Sequence, residues 1–350
     1  MAPAKANGAA NGSNANGMSK STSYHVLKEG EDPPVGVRIY ADGIKPDHRQ
    51  NPLVTIFAGI TMSIYVGFMN YFLLLCIAAI WSRVCLYIVI ALLSTLALPC
   101  KPVLWPAFNR LWIFKTWRHY FHYSFLVEQQ LDPTKRYIFV EFPHGAFPIA
   151  PIVAGTLMQT LFPHMAIYSV AASVVFYIPF WRHMITWIGS VPATPGNFKR
   201  LLQKGSVAVV VGGIAEMYMG HPRKERIKLV GRRGFARIAL EEQVDGIVCV
   251  YYFGNSQVLS FGPAFLAGVS RRMRTSLGYL TGWMGLPVPK PLPIFMVNGK
   301  PIPVPRIPRD HPDFDKKVDE LLEATITELG EMYDRHKGLY GWADRPLSIE

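Results

Sequence analysis

Tyr137-Ile138-Phe139-Val140-Glu141-Phe142-Pro143-His144-Gly145 is the stretch that decides how this chain is read. Tyr137–Val140 is apolar, aromatic and β-branched, which predicts a short buried strand. Pro143 and Gly145 stop it abruptly. His144 is thereby set at the carboxyl end of a strand, where open α/β sheets place their ligand sites. A lone histidine in apolar surroundings is usually structural. The strand end and the flanking Pro and Gly are what make this one a candidate general base.

Toward the C-terminus, strand-like and helix-like pieces alternate. Ala166–Val170, Ser206–Val211, Ile247–Phe253 and Ile294–Val297 read as strands. Pro148–Leu161, Val175–Ile188, a helix opened by Thr194-Pro195 and running to Lys204, Arg233–Gln243 and Pro312–Lys337 read as helices. Alternation of this kind predicts a layered α/β domain with no internal repeat.

Toward the N-terminus the chain turns apolar. Leu53 to Trp81 contains no charged residue and only Asn70 as a strongly polar one. It exceeds the ~20 residues that span a bilayer. Val84 to Pro99 is a second apolar run, of 16 residues, separated from the first by Ser82-Arg83. Lys45 and Arg49 precede the pair; Lys101, Arg110, Lys115 and Arg118 follow it. Both ends are then expected in the cytosol, with a tight hairpin between them that spans twice or dips and returns. The competing reading is two buried helices of a soluble core, which would need a polar face.

Lys101 to Phe125 is dense in aromatics and basic residues, and reads as an interfacial segment with rings at headgroup depth. Phe261 to Tyr279, with Arg271, Arg272 and Arg274, reads as a second such surface. For both, the alternative is ordinary packing against the core. A base on a soluble layer tethered beside a bilayer points to chemistry on a lipid hydroxyl.

Composition bounds the rest. Half of the 350 residues are hydrophobic and the formal net charge is +12. A basic balance suits nucleic acid, an anionic membrane or an anionic substrate. The apolar character, with no zinc-finger spacing or RNP-like motif, excludes nucleic acid. The four cysteines, Cys76, Cys85, Cys100 and Cys249, form neither a disulfide framework nor a Cys-x-x-Cys pair. That fits a reducing, cytosol-facing domain. Residues 1–22, rich in Ala, Asn, Gly and Ser, are expected to be disordered and cytosolic. No apolar core of a cleavable signal follows them, and the sequon Asn11-Gly12-Ser13 is expected to stay unmodified. The organisation expected is a tail and lead-in over 1–50, a membrane hairpin over 51–100, an interfacial segment over 101–125 and the α/β domain over 126–345.

Several further residues could carry chemistry. Glu216 follows Gly212-Gly213-Ile214-Ala215, again just past a buried strand. If the two strands are near neighbours, its carboxylate could orient the His144 imidazole. The alternative is a glutamate neutralised by the arginines that follow. His221 to Arg237 holds seven basic residues against one Glu, and Gly231-Arg232-Arg233-Gly234-Phe235 enters a helix. Arginines and free N–H groups at a helix start bind phosphate, and coenzyme A carries three phosphate groups; a solvated basic face against anionic lipid is the alternative. His119 and His122 form a His-x-x-His pair whose aromatic surroundings argue against zinc. No Gly-x-Ser-x-Gly elbow occurs.

Residues 45–341 resemble the type-2 diacylglycerol acyltransferases, a family that includes monoacylglycerol and wax-alcohol acyltransferases. The resemblance rests on six motifs in order behind a hairpin: Phe142-Pro143-His144-Gly145, Val211-Gly212-Gly213-Ile214-Ala215-Glu216, Arg232-Arg233-Gly234-Phe235, Phe253-Gly254, Gly299-Lys300-Pro301-Ile302 and Tyr333-Asp334-Arg335-His336-Lys337. Phe72-Leu73-Leu74-Leu75 also fits a loose neutral-lipid pattern, but an all-apolar match inside an apolar segment has little specificity. There are departures. Phe142 stands in place of the family's first His or Glu, Cys249 in place of a Pro, and Asn255-Ser256 follow Phe253-Gly254 without the usual acidic residue. The region between Phe253 and Pro289 is shortened, which leaves the acceptor open. In the related glycerol-phosphate acyltransferases an Asp follows the His by five residues; here that position is Ile149.

The resemblance implies an N-terminal membrane hairpin followed by a cytosolic α/β acyltransferase domain of the glycerol-phosphate acyltransferase type. It implies an endoplasmic reticulum membrane enzyme, also placed on lipid droplets, that joins acyl-CoA to diacylglycerol. His144 and Glu216 would be catalytic. Pro143, Gly145, Gly212, Gly213, Arg232, Arg233, Gly234 and Phe235 would bind substrate. Gly145 and neighbouring N–H groups would stabilise the oxyanion. No cofactor or metal is expected, with acyl-CoA as co-substrate and the bilayer as partner; a homo-oligomer is left open. Monoacylglycerol, a fatty alcohol or a sterol are alternative acceptors. A non-catalytic lipid-droplet hairpin protein is the rival of another class, although it would not need His144 and Glu216 at successive strand ends. A phosphate-ester synthase lacks an Asp cluster for Mg²⁺.

Overall fold

The structure, a computed structural model, describes residues 27–350 except 29, 45, 46, 274 and 275. The expected disordered tail, Lys45 and Arg274 lie outside the described residues. Twelve strands are described: β1 (Ile39–Tyr40), β2 (Ser124–Val127), β3 (Tyr137–Phe142), β4 (Ile167–Ala171), β5 (Ser190–Pro192), β6 (Ser206–Val210), β7 (Glu225–Ile227), β8 (Gly246–Phe253), β9 (Ser260–Gly262), β10 (Tyr279–Thr281), β11 (Phe295–Pro303) and β12 (Leu347–Ile349).

Eight of them form one sheet in the order β1-β2-β11-β8-β3-β6-β4-β5. From β8 to β5 all pairs are parallel. β11 runs antiparallel beside β8, and β2 runs parallel to β11. Every residue of β3 is buried, as a strand covered on both faces requires. Tyr137 and Phe139 face one hydrophobic cluster with helices Pro52–Val66, Trp112–Tyr120 and Ile149–Gly155. Ile138, Val140 and Phe142 face the other, with helices Pro195–Leu202, Gly234–Glu241 and Phe314–Tyr340. The predicted α/β layering is therefore present. β2 crosses the expected 125/126 boundary, and β1 adds a strand from the lead-in.

Two predicted helices are broken. Val175–Ile188 is a 3₁₀ turn, Ser173–Tyr177, followed by helix Trp181–Trp187. Pro179 has no N–H to continue a helix, and Phe180 takes φ 71°. Pro148–Leu161 divides into Ile149–Gly155 and Met158–Leu161.

The long apolar stretch is broken too. No single described helix is long and apolar enough to cross a membrane; helices Pro52–Val66 and Phe68–Ala78 meet that test only together, bent by 72°. The break is at Gly67, whose missing side chain is required. A Cβ there would stand 2.8 Å from the Tyr71 ring and 2.9 Å from Pro287 Cγ. Trp181 Nε1 donates to the freed Tyr65 carbonyl at 2.7 Å. The first half buries Ala58, Met62, Tyr65 and Val66 in the core, and its Thr61 accepts from Trp117 Nε1 at 2.9 Å. Phe68–Ala78 and the partner helix Arg83–Ser94 bury only Phe68 and Val89. Leu73, Leu74, Ile77, Val84, Leu86, Ile88, Ile90 and Leu93 stand exposed.

The aromatic segment corrects its expectation. Phe108, Phe114, Trp117, Tyr120, Phe121, Tyr123 and Phe125 are core residues, and only Trp105 and Trp112 among the rings are exposed. Arg118 is buried, donating to both Asp42 oxygens at 2.6 and 2.8 Å and to Thr156. Core packing, the bland alternative, accounts for most of this stretch.

Candidate active site

β3, β6 and β8 are neighbours running in one direction, so their carboxyl ends form one edge. His144 follows β3, Glu216 follows β6 and Asn255 follows β8. The sequence expectation that His144 and Glu216 meet holds, but the contact is not the one expected. Glu216 Oε2 accepts the main-chain N–H of His144 at 2.7 Å, and Oε1 accepts that of Lys228 at 2.8 Å. Glu216 therefore holds the loop, not the imidazole ring. The same bond occupies the His144 N–H, which is therefore not free to stabilise an oxyanion.

The ring is held by its own main chain. His144 Nδ1 lies 2.9 Å from the Gly145 carbonyl. A carbonyl only accepts, so Nδ1 carries the proton and Nε2 keeps its lone pair. Nε2 has no protein partner among the described residues. Burial lowers the His144 pKa below its ordinary value, opposed by the Gly145 carbonyl. The imidazole is therefore neutral at pH 7.

Asn255 is a member of the site that sequence reading passed over. It is buried; its Nδ2 donates to the Pro143 carbonyl at 3.0 Å and the His144 carbonyl at 3.2 Å, and its Oδ1 accepts the Ala150 N–H at 3.0 Å. The Phe142–Pro143 peptide just before the carbonyls it binds is cis. Its position directly after the strand-ending Phe253-Gly254 is the signal that could have found it.

Burial pushes the Glu216 carboxyl up to about 7, against the pull of the Lys228, His144 and Gly145 N–H groups. Gly212, at φ 107°, lies so close to this carboxylate that any side chain would collide with it. A second buried carboxyl, Glu141, lies in β3 and accepts from Tyr252 Oη at 2.7 Å. Burial pushes it up to about 7 as well.

The remaining substrate-binding expectations divide. A Cβ on Gly213 or Gly234 would meet nothing within 4 Å, so both face open space. Arg232 is exposed, beside Glu216, with Nη2 3.5 Å from the Gly212 carbonyl. Arg233 instead pairs with Asp319 at 2.7 Å and Asp315 at 3.5 Å on the C-terminal helix. Phe235 is buried and packs in the core. Of the seven basic residues, Arg226, Arg233 and Arg237 are paired with Glu350, Asp319 and Asp315, while Arg223, Lys224, Lys228 and Arg232 form no ion pair among the described residues. No group of three or more His, Cys, Asp or Glu side chains among the described residues is arranged to hold a metal ion.

The late motif is structural. His336 is fully buried with Nε2 2.6 Å from Glu128, and Arg335 donates to both Glu128 oxygens at 2.9 Å. Burial pushes Glu128 up, but the bonds from His336 and Arg335 outweigh it and hold the carboxyl at about 2. This ties the C-terminal helix to the chain just past β2.

The sheet edge carries a main-chain-held histidine at the carboxyl end of β3 in an α/β protein. The profile of the diacylglycerol acyltransferase family matches residues 72–350, and the chain belongs to that family. It is thus an acyltransferase of lipid metabolism. A diacylglycerol O-acyltransferase 2-like protein 6 from Bos taurus is 29% identical over 265 residues, covering 68% of this chain and 77% of the relative. A 2-acylglycerol O-acyltransferase 1 from Mus musculus is 28% identical, covering 65% and 73%. Among solved structures, the 1-acyl-sn-glycerophosphate acyltransferase PlsC from Thermotoga maritima has a TM-score of 0.38 at 14% identity, covering 79% of this chain and 96% of its own.

Proposed function

We propose that this chain transfers the acyl group of acyl-CoA to the free hydroxyl of diacylglycerol, forming triacylglycerol at the endoplasmic reticulum membrane with the α/β domain facing the cytosol. His144 Nε2 takes the hydroxyl proton as the oxygen attacks the thioester carbonyl. The new C–O bond forms, the C–S bond breaks, and the CoA thiolate leaves and takes up the proton from the imidazolium. Base assistance of this kind is typically worth ~10²–10⁴-fold. The 2.9 Å contact between Nδ1 and the Gly145 carbonyl, which assigns the proton to Nδ1, is the observation that carries this reading. It replaces the carboxylate that usually orients a catalytic histidine. Glu216 and Asn255 are positioning residues, acting through the loop main chain. Exposed Arg232 and the open start of the helix at Gly234 supply charge for the phosphates of CoA. The reaction needs no metal or other cofactor.

The exposed apolar helices Phe68–Ala78 and Arg83–Ser94 dip into the bilayer as a re-entrant hairpin and return. Diacylglycerol then arrives laterally from the membrane. Acceptor choice is tested in microsomes lacking endogenous neutral-lipid acyltransferases, supplied with labelled oleoyl-CoA and, in parallel, diacylglycerol, monoacylglycerol, a fatty alcohol or a sterol. Label in triacylglycerol is the expected result. Label in another ester would keep the mechanism and replace the acceptor. No ester from a membrane-bound, folded chain would favour a hairpin protein without activity.

A further inference from the structure

The segment from Ser260 to Lys290 carries Arg271, Arg272, Arg274 and Lys290 and no acidic residue. β9 and β10 pair in it as an antiparallel hairpin, Phe261 opposite Leu280, around helix Ala267–Met273. Beyond β10 the chain makes a tight turn, closed by Gly282 N–H to the Leu286 carbonyl and Trp283 N–H to the Val288 carbonyl, both 2.7 Å. Its tip presents Trp283, Met284 and Leu286, with Met284 77% exposed, while Phe265 nearby in the chain is 80% exposed. Large apolar side chains at that exposure are costly in water.

Two attachments say what covers them. The base of the turn packs on helix Pro52–Val66 and the bend that follows it: Val288 approaches Gly59, Pro287 approaches Gly67, and Tyr120 Oη donates to the Pro289 carbonyl at 2.6 Å. Helix Pro52–Val66, on which the 260–290 segment thus rests, also exposes Ile56, Ile60 and Ile64 and leads directly into the exposed apolar helix Phe68–Ala78. On the other side, Tyr218 Oη meets Ser270 Oγ at 2.6 Å and donates to the Leu277 carbonyl. Tyr218 follows helix Ile214–Met217, which carries Glu216.

We propose that the 260–290 insert is a second bilayer-contacting element, in which Trp283, Met284, Leu286 and Phe265 enter the acyl region of an anionic membrane and Arg271 and Arg272 meet its headgroups. The inference rests on the reading of the neighbouring helices as membrane-inserted. Aromatic and apolar tips flanked by arginine are the composition of interfacial anchors, and anionic lipid adds attraction at each cation. Anchored at both hairpin and insert, the sheet edge with His144 is held over the lipid from which its acceptor comes.

The test is photo-crosslinking of the full chain in proteoliposomes containing phosphatidylserine and phospholipid labelled in its acyl chains. p-Benzoylphenylalanine replaces Met284, Phe265, Leu73 of the apolar hairpin or, as a water-facing control, Lys316, and only chains that keep acyl transfer are compared. Labelled adducts at 284, 265 and 73, several-fold above the control, are expected. Adducts at 73 with control-level signal at 284 and 265 overturn the insert proposal and leave the hairpin reading standing. Control-level signal at all three overturns both.

Discussion

β3 and the helix Phe68–Ala78 are both short, nearly uncharged apolar runs, and they meet opposite surroundings. Every residue of β3 is sealed between two helical layers. Of Phe68–Ala78, only Phe68 is buried by protein. Apolar composition therefore reports removal from water and not the agent that removes it. In β3 the agent is side-chain packing, which fixes register and so fixes His144. In the hairpin the proposed agent is lipid, which demands apolarity and little shape.

The sharpest way to break this comparison is to place one polar side chain in each. Val140→Asp buries an unpaired carboxylate between layers; a loss of more than about 5 kcal/mol is expected, with no cooperative melting transition left. Leu74→Ser on the exposed hairpin is expected to change melting in detergent by less than about 0.5 kcal/mol while weakening retention on vesicles in flotation. Equal effects would mean that the hairpin is ordinary core.

Smaller effects sharpen the account of the edge. Glu216→Gln exchanges one acceptor oxygen for an amide that cannot accept a main-chain N–H. An unpaired buried donor costs about 1–3 kcal/mol, so acyl transfer is expected to fall roughly 10- to 100-fold with chain abundance maintained. Unchanged transfer would remove Glu216 from the positioning role. Glu141→Gln acts on stability. Its carboxyl is raised from 4.5 to about 7 in the fold, so its stabilising contribution is complete below 4.5 and is lost as pH rises through 7. The variant should therefore melt higher than wild type at pH 8, by an upper bound on the order of 3 kcal/mol, and equally at pH 4. Glu216 titrates in the same direction, so some pH dependence remains in the variant. The smallest effect is on the rate profile: burial lowers His144, so the acid limb of wild-type transfer should fall below pH 6.5.

Much of the fold was legible because the signals were local. The β3 run, the Pro143–Gly145 stop and the Thr194-Pro195 helix start are each decided within a few residues. The strand ends placed His144 and Glu216 together for the same reason. What Glu216 binds was not legible, since ring and main chain of one residue differ by a rotation that no spacing encodes. Asn255 was missed because its two carbonyl partners lie over 100 residues away. The aromatic stretch misled because interfacial and core helices share composition, and only the partner helix Pro52–Val66 decides between them. Arg233 misled likewise: a phosphate-binding arginine and one paired with Asp319 look identical until the C-terminal helix is in place.

The central claim is that His144 Nε2 takes the acceptor's proton while main-chain contacts hold the ring. The most direct measurement is labelled acyl transfer by His144→Gln and wild type in the same vesicles, at matched membrane abundance and matched melting temperature. Glutamine keeps a polar side chain but cannot accept a proton near pH 7. The account predicts a fall of ~10²–10⁴-fold with the fold intact. Transfer within a few-fold of wild type would contradict it.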